Sequence, residues 1–313
     1  IEDADLSLMP NTDVCETCHE EESIAYKQSR HSLKWSSFMY REDKEQQDDI
    51  CTGCHSSKSS RYKRNGCNSC HMRHTFSKRE ANDPRICKSC HSSQWQSWFS
   101  SRHGILWQIG SKRKLPTCQF CHLPKGDHNI KTAGGYFALE MPKEEEEQQW
   151  SGDRLIILKA LGVVDENGVP TERKELLSMD GSSLEKMSGI CKRCHSSSYV
   201  EQQFKNCEKT IKMADRLMAE AIRIVNRLYE DGILKKPKGW KYAPDLMHIY
   251  NTENTIEQKL HTMFFNYRLK VVSGALHFNN EYTHWQGLIK MREALYKIKD
   301  ESQELRYKAK LKI

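Results

Sequence analysis

The 313-residue chain has no run approaching the ~20 consecutive apolar residues that a membrane-spanning helix needs. It opens without the charged start, apolar middle and small-residue cleavage site of an export signal. No basic stripe is interleaved with aromatics and no known reader motif occurs, so nucleic acid is not supported as a partner. Apolar residues are scarce, at 37% against the roughly 45–50% of an ordinary globular protein, while 29% are charged. A chain of this length holds one large or two small domains, yet this composition leaves their core thin unless something besides side chains fills it.

What the sequence does contain is Cys-x-x-Cys-His, six times: Cys15-Cys18-His19, Cys51-Cys54-His55, Cys67-Cys70-His71, Cys87-Cys90-His91, Cys118-Cys121-His122 and Cys191-Cys194-His195. This is the attachment signature of c-type haem. Two thiols form thioethers to the porphyrin and the adjacent imidazole becomes an axial ligand to the iron. Zinc sites use paired Cys-x-x-Cys units with no need of a histidine after each, and a disulfide framework does not explain the six histidines. Twelve of thirteen cysteines are consumed, and six covalent haems are expected, supplying much of the missing apolar core. Their propionates carry up to two negative charges each, enough to reverse the formal net charge of +7 and to bear on the choice of redox partner. Because c-type haem is attached after export, the expected location is the periplasm or an equivalent compartment, with the chain starting after a processing site or trimmed.

Three regions are expected: a five-haem region over 1–130, a haem-free insertion over 131–190, and a sixth motif with long helices over 191–313. Within the first, an internal repeat joins Cys-x-x-Cys-His to Ser-Arg-His after nine residues, at Cys15 to His31 and at Cys87 to His103. On a helix, twelve residues span about 18 Å, too far for His31 or His103 to reach the haem of its own motif, so each is expected to serve a neighbouring one. The insertion opens with Glu144 to Glu147, a solvated face, followed by a helix near Trp150 to Leu161 and a turn at Asp165 to Pro170. Beyond 196, Phe204, Cys207, Ile211, Ala214, Met218, Ala221, Val225 and Leu228 step by three and four, an apolar seam closed by Asp231-Gly232. The odd cysteine, Cys207, lies on that seam as a core residue. A second helix is expected over about 253–276. A third is expected to begin at Thr283, where Thr283-His284-Trp285-Gln286 has capping-box form. The fold class is mainly α.

Eight histidines lie outside the motifs: His31, His74, His103, His128, His248, His261, His277 and His284. A haem with two axial histidines relays electrons only; one lacking the second ligand accepts a substrate. The segments Cys67 to Ser77 running through Pro84 to Cys87, Ser101-Arg102-His103-Gly104, Pro116-Thr117-Cys118 with His128-Asn129, and Gly274-Ala275-Leu276-His277-Phe278-Asn279 resemble the octahaem hydroxylamine oxidoreductase family, over nearly the whole chain. The resemblance implies distal ligands at His31, His74, His103, His128 and His277, leaving one open, catalytic haem on Cys51, Cys54 and His55. It also implies that Tyr282 cross-links the catalytic haem of a neighbouring subunit in a trimer or its multiple, projecting outward to do so.

Two features depart from that family. Its first two haems are missing, which implies their loss or a cytochrome partner subunit that supplies them. Its Asp-His pair after the motif of His91 is also absent, because His91-Ser92-Ser93-Gln94-Trp95 runs on to Ser101-Arg102-His103 about four residues early. His284 is the one nearby candidate replacement. The leading expectation is redox chemistry on a small nitrogen compound (hydroxylamine, hydrazine, nitric oxide or nitrite) at the haem of His55. The alternative is a non-catalytic electron-transfer subunit. Pentahaem nitrite reductases use Cys-x-x-Cys-Lys, which does not occur here.

Overall fold

The repeat in the sequence is also a repeat in the structure. In the computed structural model, which describes residues 15–29, 31, 67, 70–71, 77–110, 115–130, 132–135, 137–143, 148–177, 182–238, 240, 244–249 and 252–311, a helix follows the motif in each copy. These are α1 (Glu20–Gln28) after His19 and α2 (Ser92–Phe99) after His91. Glu20, Glu21 and Glu22 fill the first turn of α1, where carboxylates oppose the positive end of the helix dipole. Both helices stop on a serine. Ser29 donates to the Tyr26 carbonyl through its N–H (2.9 Å) and its hydroxyl (2.7 Å); Ser101 does the same to Trp98 at 2.9 and 2.6 Å. A hydroxyl that takes over a helical carbonyl in this way competes with the next backbone turn.

The chain divides into two compact units, one of residues 1–95 and 103–131, the other of 96–102 and 132–313. The first also carries α3 (Arg102–Gln108) and α4 (Cys118–His122), the latter capped by Thr117, whose hydroxyl accepts from the Phe120 N–H. Among its described residues the only buried apolar side chains are Trp95 and Pro84.

The second unit has a conventional apolar core. It contains α5 (Gln148–Ala160), α6 (Ser182–Cys191), α7 (Ser197–Glu230), α8 (Thr255–Thr262), α9 (Leu269–Leu276), α10 (Asn280–Tyr282) and α11 (Ile289–Lys310). Helix α5 ends at Gly162, whose φ of +65° suits glycine. The turn after it is drawn together by the Asp165 carboxylate, which accepts from the N–H groups of Asn167 and Val169 at 2.9 Å each. No strand occurs among the described residues, only an isolated bridge between Val164 and Pro170. At 34 residues, α7 is about 51 Å long and packs against α5, α9 and α11. Cys207, Ala214, Met218, Ala221, Val225 and Leu228 of the expected seam are buried, with Phe204 and Ile211 half-buried. No helix among the described residues is long and apolar enough to cross a membrane.

One charged cluster lies wholly inside this core. Asp215 of α7 accepts from Arg268 Nε (2.9 Å), Arg154 Nη2 (2.5 Å) and Trp150 Nε1 (3.2 Å). Arg154 and Arg268 also donate to the carbonyls of Ala138 and Phe137, at 2.6 Å each. The three charged side chains are 0–3% exposed.

Helices α8 and α9 are joined by a π turn at Met263–Arg268, and α10 and α11 by another at Thr283–Leu288. The first brings Met263, Phe264 and Arg268 inward together. The two helical arms cross closely at glycines. A Cβ on Gly274 would fall 3.0 Å from the Thr283 Cα, and one on Gly287 2.9 Å from the Val271 nitrogen. The final helix begins earlier than expected from the capping-box pattern at Thr283. Asn279 is the cap, its Oδ1 accepting from the Tyr282 N–H at 3.0 Å, and Thr283 instead donates its hydroxyl back to the Asn279 carbonyl at 2.7 Å.

Candidate haem centres

Residues three and four apart share one face of a helix, so a single turn over Cys-x-x-Cys-His collects both thiols and the imidazole on one side. The described motifs adopt that turn. The histidine N–H donates to the carbonyl of the first cysteine at 2.9 Å in the motifs of His19, His71 and His91, and at 3.1 Å in that of His195. In the motif of His122 the same residues form α4. Cys51, Cys54 and His55 lie outside the described residues, as does His74.

Thiols of different motifs converge in the first unit. Burial and contact with Cys15 push the Cys67 thiol up to about 11, and burial with nearby Cys87 and Cys90 does the same to Cys70. A hydrogen bond with Cys118, and then burial, raise Cys87; the same bond lowers Cys118.

The imidazoles converge as well. His31 Nε2 lies 3.4 Å from His91 Nε2, with the rings 5.7 Å apart at 73°. The rings of His71 and His128 stack at 6.1 Å. Burial, then the charges of His128 and His19, hold the His71 pKa below the usual imidazole range, which favours the neutral, ligating form. The buried Nδ1 of His128 has no hydrogen-bond partner. Metal–imidazole bonds of about 2 Å place two axial nitrogens about 4 Å apart, close to the His31–His91 separation.

These observations fit haem. Among its described residues the first unit has two histidine pairs brought together, clustered thiols and few buried apolar side chains. Among the described residues no group of three or more His, Cys, Asp or Glu is arranged to hold a bare metal ion, whereas an axial haem site needs only two imidazoles. His103, on α3, and His122, on α4, are half-buried in the same unit.

In the second unit His195 is exposed and stacks on Tyr199 at 5.0 Å. His277, in the turn between α9 and α10, has its Nδ1 2.5 Å from the Ser97 hydroxyl. Tyr282 is only 7% exposed, which corrects the outward projection expected for it. The helix starts at Asn280, not after Tyr282, and Gly274 lets the neighbouring Thr283 backbone approach so closely that this face packs inward. His284 is exposed beside Trp285.

One cluster escaped the sequence reading. Buried Asp245 accepts from Arg173 (3.2 Å) and lies 3.0 Å from His248 Nδ1. Burial alone would raise its carboxyl, but the His248 hydrogen bond and the Arg173 charge outweigh that and hold it low. The Asp-x-x-His spacing was the available signal.

Comparison with known proteins places this geometry. The family model described as "Seven times multi-haem cytochrome CxxCH" matches residues 42–155 and 178–241. A solved structure of a reducing HAO-like protein complex from Kuenenia stuttgartiensis is similar over 97% of this chain and 73% of that one, at 18% identity and a TM-score of 0.71. Another, described as a hypothetical multihaem protein, is similar over 97% of this chain and 80% of that one, at 16% identity and a TM-score of 0.68.

Proposed function

The chain belongs to this multihaem cytochrome family, and from that premise we propose that it binds a c-type haem at each of its six motifs and serves as an electron relay with one open iron. When bound, haem supplies a one-electron iron couple with axial positions for protein ligands or substrate. The residues do the rest. Each cysteine pair fixes a porphyrin covalently, and His19, His55, His71, His91, His122 and His195 orient beneath it. His31 serves the haem of His91 and His128 that of His71. The observation that carries this reading is the meeting of His31 and His91 across sixty residues of sequence.

The partition of the chain supports the remaining assignments. The first unit contains five motifs but four distal candidates, His31, His74, His103 and His128; the second contains one motif and His277. We assign His277 to the haem of His195, the one motif of its own unit, and, as the family resemblance implies, the open iron to Cys51, Cys54 and His55. There a small nitrogen compound (hydroxylamine, hydrazine, nitric oxide or nitrite) is the proposed substrate. A cytochrome partner subunit, a trimeric assembly and an extracytoplasmic location complete the proposal; the reducing HAO-like protein complex among the similar structures supports a partner.

A specific observation favours a second reading, an electron-transfer subunit without chemistry of its own. Tyr282 is buried, so a cross-link to a neighbour's haem requires it to leave its packing, and the acid–base pair after His91 is absent from the sequence. General acid–base help is typically worth ~10²–10⁴-fold in rate.

Mass spectrometry of the denatured chain is expected to show six covalent haems and one thiol, Cys207. That thiol donates to the Ala275 carbonyl at 2.8 Å, and burial raises its pKa to about 12, so thiol reagents are expected to reach it only on unfolding. Cyanide titration with electron paramagnetic resonance is expected to find a single ligand-accepting iron. Six ligand-inert irons would establish the relay reading and exclude the catalytic one.

A further inference from the structure

Within the second unit, the segment Ser97 to Ser100 is tied to the turn that carries His277 by four hydrogen bonds. The Ser97 hydroxyl donates to the Ser273 carbonyl at 3.2 Å and lies 2.5 Å from His277 Nδ1. The Asn279 amide donates to the Ser97 carbonyl and to the Ser100 hydroxyl, at 2.8 Å each. Ser97 is fully buried and Asn279 nearly so.

A hydroxyl has one proton to give. The Ser273 carbonyl can only accept, so a Ser97 proton given to it leaves the serine oxygen to accept from His277 Nδ1, 2.5 Å away, in the tautomer that carries a proton there. In that tautomer the chain runs from His277 Nδ1–H to Ser97 Oγ–H to the Ser273 carbonyl. This order protonates Nδ1 and leaves Nε2 as the basic nitrogen, the tautomer a metal ligand requires.

We propose that Ser97 is a positioning residue for an axial ligand: through this proton chain it fixes the tautomer and ring orientation of His277 and tunes the iron that His277 binds. An acceptor on the remote N–H of a ligating imidazole raises its basicity and locks its orientation, which favours the ferric state of the attached iron. Asn279 sets the height of the serine through its carbonyl, while the contact to Ser100 braces the same segment without touching the imidazole. The inference rests on His277 being an axial ligand, as proposed above.

The test uses the haem-loaded full chain. In Ser97→Ala, spectroelectrochemical titration is expected to show one redox step displaced to higher potential, or one iron converted from low to high spin, with the covalent haem count unchanged. Ser97→Thr, which keeps the hydroxyl, is expected to restore the wild-type titration. Ser100→Ala removes a brace but no imidazole contact and is expected to leave all steps in place. If Ser97→Ala and Ser100→Ala shift the titration alike, or neither does, the proton chain is overturned. His277→Ala separates the premise from the inference. One iron turning high-spin keeps His277 as a ligand, so that a silent Ser97→Ala then refutes the role of Ser97 alone. An unchanged set of five low-spin irons refutes the ligand itself, and the inference with it.

Discussion

Asp215→Ala is expected to destabilise the helical unit by about 3–5 kcal/mol, read as a lower midpoint of helix loss in guanidinium. The carboxylate is the sole anion between Arg154 and Arg268, and all three groups are cut off from water. Removing it strands two guanidinium groups, and Arg154 already has a buried Nε without a partner. Burial lowers the Arg268 pKa, with Arg154 adding to that, against the raising effect of Asp215. Without the carboxylate the opposing influence disappears. Replacing all three charges together with apolar side chains of similar volume is expected to cost far less than the single change, because the penalty lies in the unpaired charge and not in the loss of the pair. If Asp215→Ala unfolds within 1 kcal/mol of the parent, the cluster is hydrated and this account of the core fails.

His31→Ala is expected to open a second iron, taking the cyanide stoichiometry from one to two per chain while six haems stay covalently attached. His31 faces His91, the proximal residue of another motif, with 3.4 Å between the two Nε2 atoms, and alanine carries no ligating atom to that position. His248→Ala, which removes the ring that meets Asp245, Arg173 and Trp240 in the second unit, is the control and should leave the stoichiometry at one. An unchanged count in His31→Ala would assign that distal position to another residue. A count of two without added high-spin signal in the ligand-free protein would mean that a neighbouring strong-field side chain fills the site until cyanide displaces it.

Much of this was legible in the sequence for a chemical reason. Covalent attachment demands two thiols and an imidazole on one helical face, so the local spacing at Cys87, Cys90 and His91 declares itself without any tertiary information. The α7 seam was equally plain, since its three- and four-residue steps follow from the helical period. Axial pairing was not legible, because the contact between His31 and His91 depends on how distant segments meet. The placement of the last helix start was misread at Thr283 because Asn279 offers a stronger cap three residues before the hydrophobic pattern resumes. The burial of Tyr282 follows from that start and from the missing side chain at Gly274, neither of which advertises its consequence. Arg268 was not picked out, because an arginine on an apolar helical face does not reveal the distant buried carboxylate, Asp215, that meets it.

Few apolar side chains, Trp95 and Pro84, are buried among the described residues of the first unit, and this bears on how the protein comes into being. Where side chains bury so little apolar surface, haem attachment would add to compaction, much as metal binding completes a zinc finger. A chain not yet carrying its haems would then keep more of these segments open to proteases. Each ligation step removes cleavable backbone from circulation, and a chain short of one haem keeps some exposed. Steady-state abundance would thereby follow the cell's supply of haem directly, since destruction of incomplete chains draws the population away from the folded pool.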